Sequence, residues 1–118
     1  MPSDFLRGND VEITLREIEL RKFGSESDEE FVERANNLYA ELLEHPEAFQ
    51  ERARTVSASR SRFRSGLLTP LTLNQMEPEI AGEVINLEPS QLSKPIKVAD
   101  SIFIVRREQV RFAAKPGQ

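Results

Sequence analysis

A change of phase inside one short strand constrains this chain more than any other feature. Val11, Ile13 and Leu15 alternate with Glu12, Thr14 and Arg16, a period of two that predicts a β-strand. The apolar set then moves to Ile18 and Leu20, one position out of step. A one-residue slip sends a side chain to the other side of a sheet. The strand therefore either carries a bulge or is buried on different faces at its two ends. Glu17 stays in phase with Val11, Ile13 and Leu15, which puts a carboxylate on the face that began apolar.

Gly24-Ser25-Glu26 ends the strand. Ser27, with Glu30 three residues on, has the form of a capping box, and Asp28, Glu29 and Glu30 sit where a helix dipole favours negative charge. Phe31, Ala35, Leu38 and Leu42 follow as a core-facing stripe, supported by Val32 and Tyr39. Pro46 stops that helix near Glu44 and suits the first turn of a second one, whose buried face would be Phe49, Ala53 and Val56. Residues 57–65 are polar and basic without an apolar period, which predicts a mobile loop. Residues 66–71 read as a short apolar strand or turn, and residues 78–86, with Ile80, Val84 and Ile85, as a third short helix. Pro95 permits only an edge strand or a strand start, and the run Ile102 to Val105 is a central strand. This order predicts an α+β fold with a small, mainly antiparallel sheet.

The chain has 118 residues, enough for one domain. We divide it into an N-terminal extension (1–10), a folded domain (11–112) and a C-terminal tail (113–118). It has no Cys and one His. Those counts exclude a disulfide scaffold, a thiol nucleophile, a Cys-ligated metal and a zinc site built on a His pair. His45 precedes Pro46 at a helix junction, where a helix-end role outweighs catalysis. No Gly-rich loop cradles a phosphate, and Glu29 with Glu30, or Glu77 with Glu79, read as solvated helix-start charges. No metal and no cofactor are expected. The start lacks a basic and an apolar signal region, and no apolar run approaches bilayer length. The expectation is a soluble chain without membrane insertion, either cytoplasmic or an extracytoplasmic part of a longer protein.

Net charge is −4, but residues 1–51 carry −9 and residues 52–118 carry +5. The extreme lies between Arg52 and Arg64, where Arg52, Arg54, Arg60, Arg62 and Arg64 meet no acid. Arg60, Arg62 and Arg64 with Phe63 either recognise an acidic or phosphorylated peptide, or form a solvated loop that offsets the acidic helices. A nucleic-acid reading would need Phe63 to stack on a base, and an acidic first half argues against it.

Four segments of the second half occur in a telling order: Gly66-Leu67-Leu68-Thr69-Pro70, Asn74-Gln75-Met76, Leu87-Glu88-Pro89-Ser90-Gln91-Leu92-Ser93-Lys94-Pro95-Ile96, and Ile102-Phe103-Ile104-Val105. This resembles the parvulin (rotamase, PpiC-type) peptidyl-prolyl isomerases. Their second half runs Gly-Gly-Asp-Leu-Gly, Gly-Gln-Met, Leu-x-Pro-Gly-x-x-Ser-x-Pro-Val and a closing strand with His. The segment Leu15-Arg16-Glu17-Ile18-Glu19-Leu20 stands where the family has Ala-Arg-His-Ile-Leu-Val, and the resemblance spans about residues 11–108. It implies a parvulin-like four-stranded sheet surrounded by three to four helices.

Carried over by position, the family's first His falls on Glu17, its Cys or Asp on Ser59, and its second His on Phe103. The Gly before the last strand falls on Ser101, and the Asp of Gly-Asp-Leu on Leu67. The proline pocket maps onto Leu68, Met76 and Ile80, with Leu71 beside them. The resemblance thus implies Glu17, Ser59 and Ser101 as catalytic candidates at altered positions. It implies Leu68, Leu71, Met76, Ile80 and Phe103 as substrate-binding residues, with Arg60, Arg62 and Arg64 at the pocket's edge. Each also has a plainer reading: Glu17 as a strand carboxylate near an Arg, Ser59 as a loop serine, and the apolar residues as core.

Three functions follow as expectations. The first is a domain binding extended, proline-containing polypeptide segments as a chaperone or docking module, with isomerase activity weak or lost. The second is a true isomerase with an altered polar set. The third is a protein–protein interaction domain whose pocket Phe103 closes.

Overall fold

The computed structural model describes residues 11–108. The N-terminal extension, the tail and the end of the domain at residue 112 lie outside them. The elements are β1 (Leu15–Arg21), α1 (Asp28–Glu44), α2 (Phe49–Val56), α3 (Pro78–Val84), β2 (Ile96–Val98) and β3 (Ser101–Arg107). The three strands form one antiparallel sheet in the order β1-β3-β2, with Ile18 opposite Ile104 and Ile96 opposite Phe103. The fold is α+β, as expected.

The phase slip in β1 is resolved by burial on different faces. Ile13 and Leu15 belong to a core with Leu73, Met76, Ile80, Val84, Leu87, Ile96 and Val105. Ile18 and Leu20 belong to a second core with Phe31, Ala35, Leu42, Phe49, Ala53, Ile102 and Ile104. Alternation along β3 does the same: Phe103 and Val105 face α3, while Ile102 and Ile104 face α1 and α2. Burying a Leu or Ile side chain is worth about 1.5–3 kcal/mol, so each end of β1 is anchored independently. Ile102 to Val105 is the central strand, and β2, just after Pro95, is an edge.

The open edge of β1 is covered by the chain between α2 and α3. Ala58 N–H donates to the Glu19 carbonyl (2.7 Å), Glu17 N–H to the Gly66 carbonyl (2.9 Å), and Leu68 N–H to the Leu15 carbonyl (3.0 Å). Ile13 and Leu71 exchange both of their backbone hydrogen bonds. These contacts occupy the place of a fourth strand without its regular ladder, and they satisfy an edge that would otherwise pair with another chain.

Ser27 caps α1 with the capping box that its sequence announces. His45 ends α1, its N–H bonded to the Glu41 carbonyl. Three local expectations are corrected. Val56 is 43% exposed and Val32 47% exposed, so neither belongs to a buried face. The third helix ends at Val84, with Ile85 as its cap, and Asn86 and Leu87 continue only in tighter turns. Residues 57–65 are an ordered 3-10 turn over Arg60–Arg64 rather than a mobile loop. Ser59 caps it, and the Ser61 N–H donates to the Ser59 hydroxyl at 3.1 Å.

Candidate functional site

Strand alternation puts Leu15, Glu17 and Glu19 on the α3 side of β1, and Phe103 and Val105 on the same side of β3. The descending chain brings Leu68 and Leu71 alongside, and α3 with the turn before it brings Met76, Glu77 and Ile80. Together with Gln75, all of these residues except Glu19 line a depression of about 190 Å3. Met76 and Ile80 are buried, while Leu68, Leu71 and Phe103 are half-buried and present apolar surface to it. All five apolar residues assigned to substrate binding therefore meet in one place.

Glu17 forms the polar wall of this depression. Its Oε2 accepts hydrogen bonds from the hydroxyls of Ser59 and Ser61, the latter at 2.8 Å, and Ser61 Oγ lies 3.0 Å from Ser59 Oγ. The Glu17 partner is thus a pair of serines and not an arginine. Arg16 instead pairs with Glu108 (3.1 Å) and donates to the carbonyls of Arg64 and Ser65 at 3.3 and 3.0 Å. Those two bonds tie the far end of the 3-10 turn to β1.

Ser101 is drawn elsewhere. Its hydroxyl donates to Glu19 Oε2 at 2.7 Å, and Arg21 Nε donates to the same oxygen at 3.0 Å. A second polar cluster, Glu19–Ser101–Arg21, therefore sits one step along β1. The chain brings Glu17 and Ser59 together but leaves Ser101 outside their bond.

Arg60, Arg62 and Arg64 lie on the 3-10 turn, exposed, and none lines the depression. Among the described residues none of the three has a carboxylate within ion-pair distance. Arg62 stacks over Phe63 at 4.8 Å, and Phe63 is 79% exposed. The turn reaches the site through Ser59 and Ser61, which hold Glu17.

Five residues of the site are additional to those expected: Ser61, Gln75, Glu77, Leu15 and Val105. Leu15 was within reach, since it is two residues before Glu17 and shares its face. Ser61 carries a weaker cue, its spacing of two from Ser59. Among the described residues no three His, Asp or Glu side chains converge as a metal site would require, and no helix is long and apolar enough to cross a membrane.

Residues 15–109 match the family model described as Rotamase, PPIC-type PPIASE domain. No curated protein matches the chain by sequence. The fold is similar to the peptidylprolyl isomerase PrsA from Bacillus cereus, with a TM-score of 0.73 and 19% identity over 93% of this chain and 38% of that one. It is also similar to the peptidyl-prolyl isomerase ESS1 from Candida albicans, with a TM-score of 0.72 and 18% identity over 87% of this chain and 66% of that one. The parvulin domain of PpiD from E. coli gives a TM-score of 0.65 and 21% identity over 85% of this chain and 88% of that one. The chain thus spans well under half the length of the PrsA protein it matches. At these identities the structural likeness establishes the fold alone.

Proposed function

The chain belongs to the PPIC-type rotamase (peptidyl-prolyl isomerase) domain family, and we propose that it binds extended, proline-containing or apolar polypeptide segments while its isomerase activity is weak or lost. In this reading it is a chaperone or docking module. The observation that carries it is the depression itself, where Leu68, Leu71, Met76, Ile80 and Phe103 converge beside Glu17.

Rotating a prolyl bond breaks no covalent bond. The barrier of about 18–20 kcal/mol reflects amide resonance, so a catalyst works by binding the twisted amide better than the planar one. An apolar pocket contributes by excluding water, which stabilises the charge-separated, planar form. Nearby polar groups supply the rest. By the resemblance, Glu17 stands where the family has a His, Ser59 where it has Cys or Asp, and Phe103 where it has the second His; Glu17 is already engaged by two serines. Each loss of about 1.4 kcal/mol in differential binding slows the reaction tenfold, so three altered positions are enough to leave a binder with little turnover.

The arginines of the 3-10 turn, without a carboxylate partner among the described residues, would meet acidic residues of the bound polypeptide further from the proline. The Glu17–Ser59 bond favours one second reading, an isomerase using that pair as its polar set. A protease-coupled assay on an Ala-Pro tetrapeptide, together with chemical-shift mapping, separates the two. Shifts at Leu68, Met76, Ile80 and Phe103 with turnover at least a hundredfold below a fully equipped parvulin are expected. Comparable turnover that Glu17→Ala abolishes would establish the second reading instead.

A further inference from the structure

Among the described residues, the charged groups that line the depression are Glu17 and Glu77, and no Lys or Arg lines it. Of the Glu17 carboxylate, Oε2 is engaged by Ser59 and Ser61. Oε1 takes no hydrogen bond from any described residue. The serines hold the carboxylate in place and leave half of its acceptor capacity open beside an apolar hollow. The five apolar side chains already fit a proline ring, which has no donor to offer. An acceptor fixed at their margin fits a neighbouring residue of the bound segment that is rich in donors.

We propose that Glu17 sets the substrate preference of this site, selecting segments in which Lys or Arg is adjacent to the proline. The proposal rests on the peptide-binding reading of the depression and gives it a sign of charge opposite to the one that the arginine-rich sequence suggests. The arginines lie on the turn outside the hollow, whereas Glu17 is in its wall. A contact at ion-pair distance outweighs charges further away once salt screens the latter, with a Debye length of about 8 Å under physiological conditions. An Ala at the same place leaves the carboxylate to water, and a Glu there meets like charge.

The test uses the purified chain and three blocked tetrapeptides, Ala-Lys-Pro-Phe, Ala-Ala-Pro-Phe and Ala-Glu-Pro-Phe, each titrated by chemical-shift mapping at physiological salt. The Lys peptide should bind about fivefold more tightly than the Ala peptide, the range of a partly exposed ion pair, and the Glu peptide should bind most weakly. Glu17→Gln keeps an oxygen for Ser59 and Ser61 but removes the charge, so it should bring the Lys and Ala peptides level. The triple variant Arg60→Ser, Arg62→Ser, Arg64→Ser should keep the order of the three. Tightest binding of the Glu peptide, or equal binding of all three with shifts at Met76 and Phe103, overturns the proposal but leaves the pocket standing. Absence of shifts at Met76 and Phe103 with every peptide overturns the pocket reading as well.

Discussion

A methyl group built at Gly66 would lie 2.5 Å from the carbonyl oxygen of Glu17. It would also lie 3.1 Å from the Ala53 Cβ, and Gly66 has φ +84°, a region that side chains rarely adopt. Both partners of the collision are backbone or core, so neither swings away. Gly66→Ala should therefore destabilise the domain by about 2–3 kcal/mol, read by urea denaturation, from strain and displacement together. Because the displaced strand segment carries Glu17, peptide binding should weaken too. A variant as stable as the parent would show that the chain at residue 66 sits further from β1.

The opposite exchange is expected to help at the β2–β3 turn. Ala99 and Asp100 connect paired Val98 and Ser101, and Ala99 has φ +52°. Two-residue hairpin turns favour Gly, Asn or Asp at such positions, since a Cβ there costs energy. Ala99→Gly should stabilise the domain by about 0.5–1 kcal/mol, visible as a melting temperature a few degrees higher.

Acid should weaken the link between α1 and the end of β1. Glu26 accepts two hydrogen bonds from Arg34, at 2.8 and 2.9 Å, and one from the Phe23 N–H at 3.0 Å. The Arg34 guanidinium, first through its hydrogen bonds, lowers the carboxyl to about 2. A carboxylate lowered on folding contributes stability above its ordinary value near 4.5, and loses it as the pH falls toward about 2. Denaturation midpoints measured between pH 5 and pH 2 should fall for the parent and fall less for Glu26→Gln.

Phe103 separates an open pocket from a plugged one. If it forms a wall of the binding hollow, Phe103→Ala should weaken binding of an Ala-Pro peptide by about tenfold, the loss of one aromatic contact. Near-ultraviolet circular dichroism checks that the core stays packed. Tighter binding in the variant would mean that Phe103 fills the hollow, as an interaction domain with a closed pocket requires.

Replacing Arg60, Arg62 and Arg64 by Ser tests the 3-10 turn. These guanidinium groups have no carboxylate partner among the described residues, so their removal should cost less than about 0.5 kcal/mol of stability. Binding of a longer peptide with acidic residues away from its proline should weaken and lose most of its salt dependence. Unchanged affinity and salt dependence would make the turn a solvated counterweight to the acidic helices.

Much of this fold is legible in the sequence because its elements obey local rules. The slip from Leu15 to Ile18 left a bulge or a strand shared between two faces, of which the second holds, and Ser27 with Glu30 announced the start of α1. The apolar half of the site was legible through family resemblance, since Leu68, Met76 and Ile80 have no period that distinguishes a pocket from a core. The 3-10 turn was not legible: Ser59 and Ser61 are ordered by Glu17, more than forty residues earlier, and no local pattern records such a bond. A separation of 82 residues hid the real partner of Ser101, which is Glu19. Val56 misled because helical spacing marks a face without saying how far the neighbouring layer extends.

The central sheet behaves as a partition wall. Side chains that shape the hollow, from Leu15 to Phe103, hang on one side of it, and those that hold α1 and α2 hang on the other. Neighbours along one strand thus answer to different constraints. Substitutions on the α3 side can reshape what the domain grips while the helical side keeps its packing. A chain of this kind can exchange its chemistry at Glu17 or Phe103 and remain the same architecture.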